Sequence, residues 1–497
     1  MNDSRRDFLK RSVCGLGMVT LATQMEHFGL ISALAQKTAS EPAPEGGAAY
    51  KALVLVYMAG GNDGNNTLIP NHSDATISNY AAYSAARSAQ GLAIPQNQLL
   101  PISVPRMGGL SYGLNPNLGP ITGGINNGIH ELWAQGKMAI VPNVGNLVKP
   151  LTKATYQNGT VQKPYQLFSH SDQVNQSQTS NSSGEVFTGW GGRVSDKMTF
   201  GSNPNGLIPM ITSISGAQLF TAGQSTLPLA INNAATALSN VLNPTGFTNT
   251  GGPARLTSFN QLRTYDLSSN YIQAASHVTD LAMQANSALA STQEVTVTFP
   301  TTSIGLQLKQ VARLVKERMD LNINRQIFYV QIGGFDTHTS QLANNGQTGL
   351  LGQLGQAVRA FYDEMTTQGV QNDVTLFTLS DFGRTLIPAG TGATVGTDHA
   401  WGNHMFVVGG SVLGGDFYGV NGPNGTPFPT LAVGTSAPDD TDNGSGARGR
   451  WIPTTSVDQY ASTLARWFGL PQDAPTLNSV FPNLGNFPTG GNLGFLP

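Results

Sequence analysis

Ile327-Phe328-Tyr329-Val330-Gln331-Ile332-Gly333-Gly334-Phe335-Asp336-Thr337-His338 opens as an apolar run of strand length and breaks, at two glycines, into an acid and an imidazole. Upstream, Leu306, Leu308, Val311, Leu314, Val315 and Met319 recur at helical spacing. Downstream, Leu350, Leu351, Leu354, Val358, Phe361, Tyr362 and Met365 predict a second amphipathic helix, and a strand over 374–379 leads into Ser380-Asp381. Helix, strand, helix, strand is the order of parallel crossovers, so the expected class is α/β with a mostly parallel sheet. Further strands are expected over 52–58, 138–142 (ended by Pro142) and 405–408. A last helix starts near Ser456, with Gln459 completing a capping box, and stops at Gly469. From Ala474 the Pro/Asn/Gly-rich tail reads as coil over the surface.

In open α/β sheets ligands bind beyond the carboxyl ends of the strands, so the polar residues at these breaks are expected to converge. Converging carboxylates repel by roughly 4 kcal/mol per pair at about 4 Å and an effective dielectric near 20. A metal ion removes that cost; protonation is the alternative. Asp336 and His338 are two apart, and on extended backbone face the same way, as ligands of one ion must. Asp63 lies in Gly60-Gly61-Asn62-Asp63-Gly64 after the first strand, where the plainer alternative is a helix cap. That turn has neither a dinucleotide fingerprint nor a Walker lysine. Asp381 follows the strand over 374–379, and Arg384 offers it either an ion pair or an anion partner. His399 is the favoured ligand in Gly396-Thr397-Asp398-His399, and His404 is a ligand or a support behind it. Phe168-Ser169-His170-Ser171-Asp172-Gln173 reads as a helix start, so Ser169 is either an ordinary N-cap or a hydroxyl activated by dipole and cation.

Ser4-Arg5-Arg6-Asp7-Phe8-Leu9-Lys10, an interrupted apolar stretch and Ala33-Leu34-Ala35 read as a twin-arginine export signal over 1–35. The expectation is export to the periplasm or beyond, with the twin-arginine translocase as a transient partner and no stable membrane anchor. The only cysteine, Cys14, lies inside that signal, which excludes disulfides and thiolate chemistry from the mature chain. The formal charge of −2 makes no case for nucleic acid. Residues 36–50 read as a flexible leader. Residues 200–300, rich in Ser, Thr, Asn and Gly, read as an insertion or cap. Asp439-Asp440-Thr441-Asp442-Asn443-Gly444 hints at a calcium loop but has Arg450 at the twelfth position, so it reads as a surface loop.

Taken together, the twin-arginine start, Gly-Gly-Asn-Asp-Gly from Gly60, Ser-His-Ser-Asp-Gln from Ser169, Gly-Gly-Phe-Asp-Thr-His from Gly333, Ser-Asp-Phe-Gly-Arg-Thr from Ser380 and Gly-Thr-Asp-His-Ala-Trp from Gly396 resemble the exported DUF1501 proteins. That family is similar to the alkaline phosphatase/sulfatase superfamily. The resemblance implies one doubly wound α/β/α domain over 51–497, with one or two divalent ions: zinc, calcium, magnesium or manganese. It implies Asp63 and Asp381 on the ion that activates the nucleophile, and Asp336, His338 and His399 on the second. Ser169 is then the first choice of nucleophile and Ser171 the second, with Arg384 steadying a substrate oxyanion. Alkaline phosphatases place His after the second aspartate, where this chain has Phe382. The implied function is a metal-dependent hydrolase of phosphate or related esters; the alternative is a non-catalytic exported binding or structural protein on the same scaffold.

Overall fold

The computed structural model describes residues 49–226, 228–240, 250–289, 294–487 and 491–497. The expected export signal and nearly all of the expected leader lie outside them. The strands are β1 (Lys51–Met58), β2 (Leu68–Pro70), β3 (Leu100–Val104), β4 (Leu110–Leu114), β5 (Met138–Gly145) and β6 (Ile211–Ser213). They continue with β7 (Leu229–Ala230), β8 (Arg325–Ile332), β9 (Val374–Ser380), β10 (Asn403–Gly409) and β11 (Thr455–Ser456).

Eight of them form one sheet in the order β11-β5-β10-β9-β1-β8-β6-β7. Its pairings are parallel except those of β10, which runs against both β9 and β5. Alternation along β1 shows why the sheet is covered on both faces. Ala52, Val54, Val56 and Met58 join one core, with Leu308, Val311 and Leu314 of the helix Ser303–Lys316 and Leu351, Leu354 and Phe361 of Gln347–Thr367. Leu53, Leu55 and Tyr57 join the other, with Trp190 and Val194 of Trp190–Ser202 and Tyr460, Leu464 and Trp467 of Val457–Phe468. A strand buried on both faces needs an unbroken apolar run, which is what the sequence shows. The mostly parallel, doubly wound α/β class is therefore the observed one.

Two local expectations fail for identifiable reasons. β5 runs through Pro142 to Gly145, because its register with β10 shifts between Asn403 and Met405 and a proline needs no ladder donor at such a bulge. The tail contains a helix, Ala474–Val480, in which Asp473 caps Thr476 N and a proline occupies the first turn. The capping box of Ser456 and Gln459 and the stop at Gly469 are present as expected. A separate antiparallel sheet, β2-β4-β3, has strands too short for alternation to reveal. Within 200–300, β6 and β7 extend the main sheet beyond β8, and the helices Gly252–Arg263 and Asn270–Ala288 follow.

The pairing register decides where the site lies. Met58 pairs with both Ile332 and Ser380, so β1, β8 and β9 end level with one another. Because β10 is reversed, its entry loop, carrying Asp398 and His399, reaches the same edge.

Candidate metal centre

The loops leaving β1, β8 and β9 are brought together by backbone contact. Gly60 has φ +111°, and a Cβ there would lie 2.4 Å from Asp336 N, so the β1 loop fits against the β8 loop only as glycine. Arg384 then ties the loops together. It is buried, with Nε donating to Gly61 O, Nη1 to Thr397 O, and Nη2 to Gly60 O, Phe335 O and the Asp336 carboxylate. An arginine so engaged organises the site; it presents no free edge to a substrate, and the oxyanion role expected of it is not the one its contacts serve.

Three imidazoles meet at Asp336. His170, at the start of the helix His170–Thr179, and His399 place their Nε2 atoms 3.0 Å apart. His338 Nε2 lies 2.9 Å from His399 Nε2. All three Nε2 atoms are 3.3 Å from Asp336 Oδ1. The far side of each ring is pinned: His170 Nδ1 to Asp381 Oδ2 at 2.7 Å, His338 Nδ1 to Asp398 Oδ1 at 3.2 Å, and His399 Nδ1 to Phe168 O at 2.8 Å. Carboxylates and carbonyls only accept, so each Nδ1 is the donor and, in a neutral ring, each Nε2 carries a bare lone pair. The lone pairs of His170 and His399, and those of His338 and His399, then face each other around one carboxylate oxygen, an arrangement that repels unless a cation or a proton sits among them. Ligand atoms of His170, Asp336 and His399 all lie within 4.8 Å of one another, the one such group among the described residues.

The electrostatics agree with ionised Asp336. Burial opposes its charge, but the Arg384 hydrogen bond and the surrounding positive groups outweigh that, and its pKa is lowered. The Asp381 hydrogen bond raises the His170 pKa against burial, whereas burial lowers that of His399. The Asp336 and His338 side chains are 45% and 46% exposed, so the centre is open to solvent on that side.

Of the expected ligands, Asp336, His338 and His399 thus stand at the centre. Asp381 stands behind it, holding His170 and accepting Gly60 N–H at 3.2 Å. Asp63 is elsewhere engaged: it is buried against Arg87 at 2.6 Å, accepts Gln341 Nε2 at 2.6 Å, and caps Asn65 N at 3.1 Å. His404 is buried on β10, accepts Asn143 N–H at 3.2 Å, and stacks on Phe428 at 5.0 Å. Its desolvation holds the pKa down at about 3, so it is a neutral core group. Ser169 occupies the N-cap position; its hydroxyl lies 2.5 Å from Asp172 Oδ2 and 3.1 Å from Ser171 Oγ, which itself lies 3.1 Å from the same carboxylate oxygen. Phe382 packs beside His170 and His399, 4.7 Å from each ring, and Gly61 is there because a Cβ would lie 2.6 Å from the Phe382 ring.

His170 is the candidate ligand that sequence reasoning passed over. It lay inside the quoted stretch, and a histidine between two candidate nucleophiles beside an acid was the signal available.

Residues 50–427 match the family model described as "Protein of unknown function (DUF1501)". The chain belongs to the DUF1501 family. A comparison with curated proteins found no match. Among solved structures, this DUF1501 chain is similar to Ps i-CgsB, crystallised with k-i-k-neocarrahexaose, at 7% identity, 74% coverage of this chain, 68% of that one and a TM-score of 0.25. It is similar to the PsFucS1 sulfatase from Pseudoalteromonas sp. at 8% identity over 74% and 64% of the two chains, TM-score 0.25. It is similar to the lipoteichoic acid synthase LtaP from Listeria monocytogenes at 10% identity over 84% and 79%, TM-score 0.24. Likenesses this slight carry no argument about chemistry, which rests on the side chains. No helix of the described residues is long and apolar enough to cross a membrane.

Proposed function

We propose that this DUF1501 protein binds one divalent metal ion on His170, His399 and Asp336, with His338 as the fourth donor, and uses it as an exported hydrolase of phosphate or related esters. The observation that carries the reading is the convergence of three Nε2 atoms on Asp336 Oδ1 with every Nδ1 already committed. Imidazole nitrogens with one carboxylate suit zinc or a similar borderline cation; calcium and magnesium favour all-oxygen sets. When bound, such an ion supplies Lewis acidity toward an ester oxygen.

The chain's own groups supply the rest. Asp381, Asp398 and the Phe168 carbonyl hold the rings in their tautomers. Arg384 holds Asp336 ionised and fixes the loops. Ser169 is the hydroxyl nearest in sequence to the ligand set, and Asp172 Oδ2 is placed to take its proton. The first turn of the helix favours negative charge at that hydroxyl. Phe382 packed beside the two rings, and Asp63 committed to Arg87, support a single ion rather than two. The full internal engagement of Arg384 favours a second reading, a metal-binding protein without catalysis.

The test is metal analysis of the purified full chain, followed by a screen of phosphate, sulfate and phosphodiester substrates. One equivalent of metal is expected, lost in His170→Ala and His399→Ala. A wild-type protein that retains no divalent ion after reconstitution overturns the centre. Metal binding with no turnover, unchanged in Ser169→Ala, selects the second reading.

A further inference from the structure

The acidic loop Asp439-Asp440-Thr441-Asp442, which reads in sequence as a surface feature, is built into the back of the metal centre. Asp440 is buried; its oxygens accept N–H from Gly434 at 2.9 Å, Asp442 at 3.0 Å and Arg450 at 3.0 Å. Lys153, also buried, closes the loop from below, donating to Gly434 O at 2.6 Å and Asp442 O at 3.0 Å. Carboxylates that accept several backbone amides are strongly held acceptors, so the loop is a rigid frame.

That frame presents two arginines to the ligand residues. Asp442 Oδ2 accepts Arg450 Nη1 at 2.7 Å and the backbone N–H of Arg448 at 3.0 Å, so one carboxylate holds the Arg450 side chain and the Arg448 backbone. Arg450 Nε donates to His399 O at 2.9 Å, and its guanidinium lies 5.4 Å over the Phe168 ring. Phe168 O is in turn the acceptor that pins His399 Nδ1. Arg450 therefore bears on His399 twice, through its backbone and through the residue that orients its ring. Arg448 Nη2 lies 3.1 Å from Asp398 Oδ2, and Asp398 Oδ1 holds His338 Nδ1.

We infer that Arg448 and Arg450 are positioning residues of the metal centre: Arg450 fixes His399 and Phe168, and Arg448 fixes His338 through Asp398. The inference rests on the centre proposed above. Both arginines follow residue 427, where the family match ends, so the support comes from a segment outside the matched region. Groups that orient metal ligands typically contribute about 10–100-fold in affinity. Lysine does not replace Arg450, because one ammonium cannot reach His399 O and Asp442 from the two nitrogens of a planar fork.

The experiment strips the full chain of metal, titrates it with Zn²⁺ alone against a competing chromophoric chelator, and records the Co²⁺ ligand-field spectrum. Arg450→Ala and Arg450→Lys are each expected to weaken Zn²⁺ binding about 10-fold or more and to shift the Co²⁺ bands, while the thermal midpoint of the metal-free protein stays at its wild-type value. Arg448→Ala, in which a more exposed side chain is removed, is expected to act in the same direction through His338. Wild-type affinity and spectrum in all three variants overturn the inference while leaving the metal centre standing. So does a loss of affinity that merely tracks a lowered midpoint of the metal-free protein. A wild-type chain that binds no Zn²⁺ removes the centre and this inference together.

Discussion

Asp381 and Asp336 leave neighbouring regions of one sheet edge, yet the first holds a ring by its far nitrogen and the second faces the near nitrogens of three. Substitution separates the two jobs. Asp381→Asn is expected to weaken metal binding about 10–100-fold, whereas His399→Ala abolishes it, as read by chelator competition. Asp63 is expected to behave differently from both. Arg87→Ala leaves its carboxylate buried and unpaired, and should cost about 3–5 kcal/mol in urea denaturation with metal stoichiometry unchanged. A third acid, Asp458, is buried in the helix Val457–Phe468, with Oδ2 lacking a hydrogen-bond partner and burial pushing its pKa up to about 7. A raised carboxyl pKa means that the folded state binds the proton more tightly than the unfolded chain near 3.9. Its contribution is therefore most favourable below about pH 4 and lost as pH rises through about 7. Asp458→Asn should then stabilise the metal-free protein more at pH 8 than at pH 5, by roughly 3 kcal/mol; equal gains at the two pH values would refute this. At this scale residue types and strand-end positions were legible. The division between ligand, support and core ion pair was not, because it turns on which nitrogen faces which oxygen.

At the scale of elements, one contact depends on glycine. The helix Trp190–Ser202 packs its first turn onto the 220–223 backbone so closely that a Cβ on Gly192 would lie 2.1 Å from Ala222 O. Gly192→Ala must move backbone and is expected to destabilise the fold by about 1–3 kcal/mol or more, measured by chemical denaturation. Trp190 beside it is fully buried against Phe220 and Phe377, so this segment is a helix start and not the isolated turn its Gly-Trp-Gly-Gly sequence resembles. The long periodic helices and the unbroken apolar strands were readable, since burial on both sheet faces leaves a continuous signal. The run of β5 through Pro142 was not, because the bulge that tolerates the proline lies in its pairing with β10, some 260 residues away in sequence.

Across the whole molecule, the site is assembled from segments near residues 60, 170, 336, 381, 399 and 450, so the proposed ion would link loops that the folded state must hold together. An ion that binds only the folded chain at 100 times its Kd adds about 2.7 kcal/mol to stability. Chelation is accordingly expected to lower the thermal midpoint of wild type, and to leave that of His399→Ala unmoved. The sequence by itself determined the α/β class, the order of its main strands and helices, the family, and the edge of the sheet at which acids and imidazoles gather. Periodicity and chain punctuation are local, and they survive in one dimension. Only the tertiary structure decided that His170 joins Asp336 and His399, that Asp63 and His404 lie apart from them, that Phe382 fills the space beside them, and that an acidic loop near the C-terminus reaches the same residues through Arg450. Those outcomes depend on distances between residues far apart in the chain, where a shift of one ångström exchanges a ligand for its support.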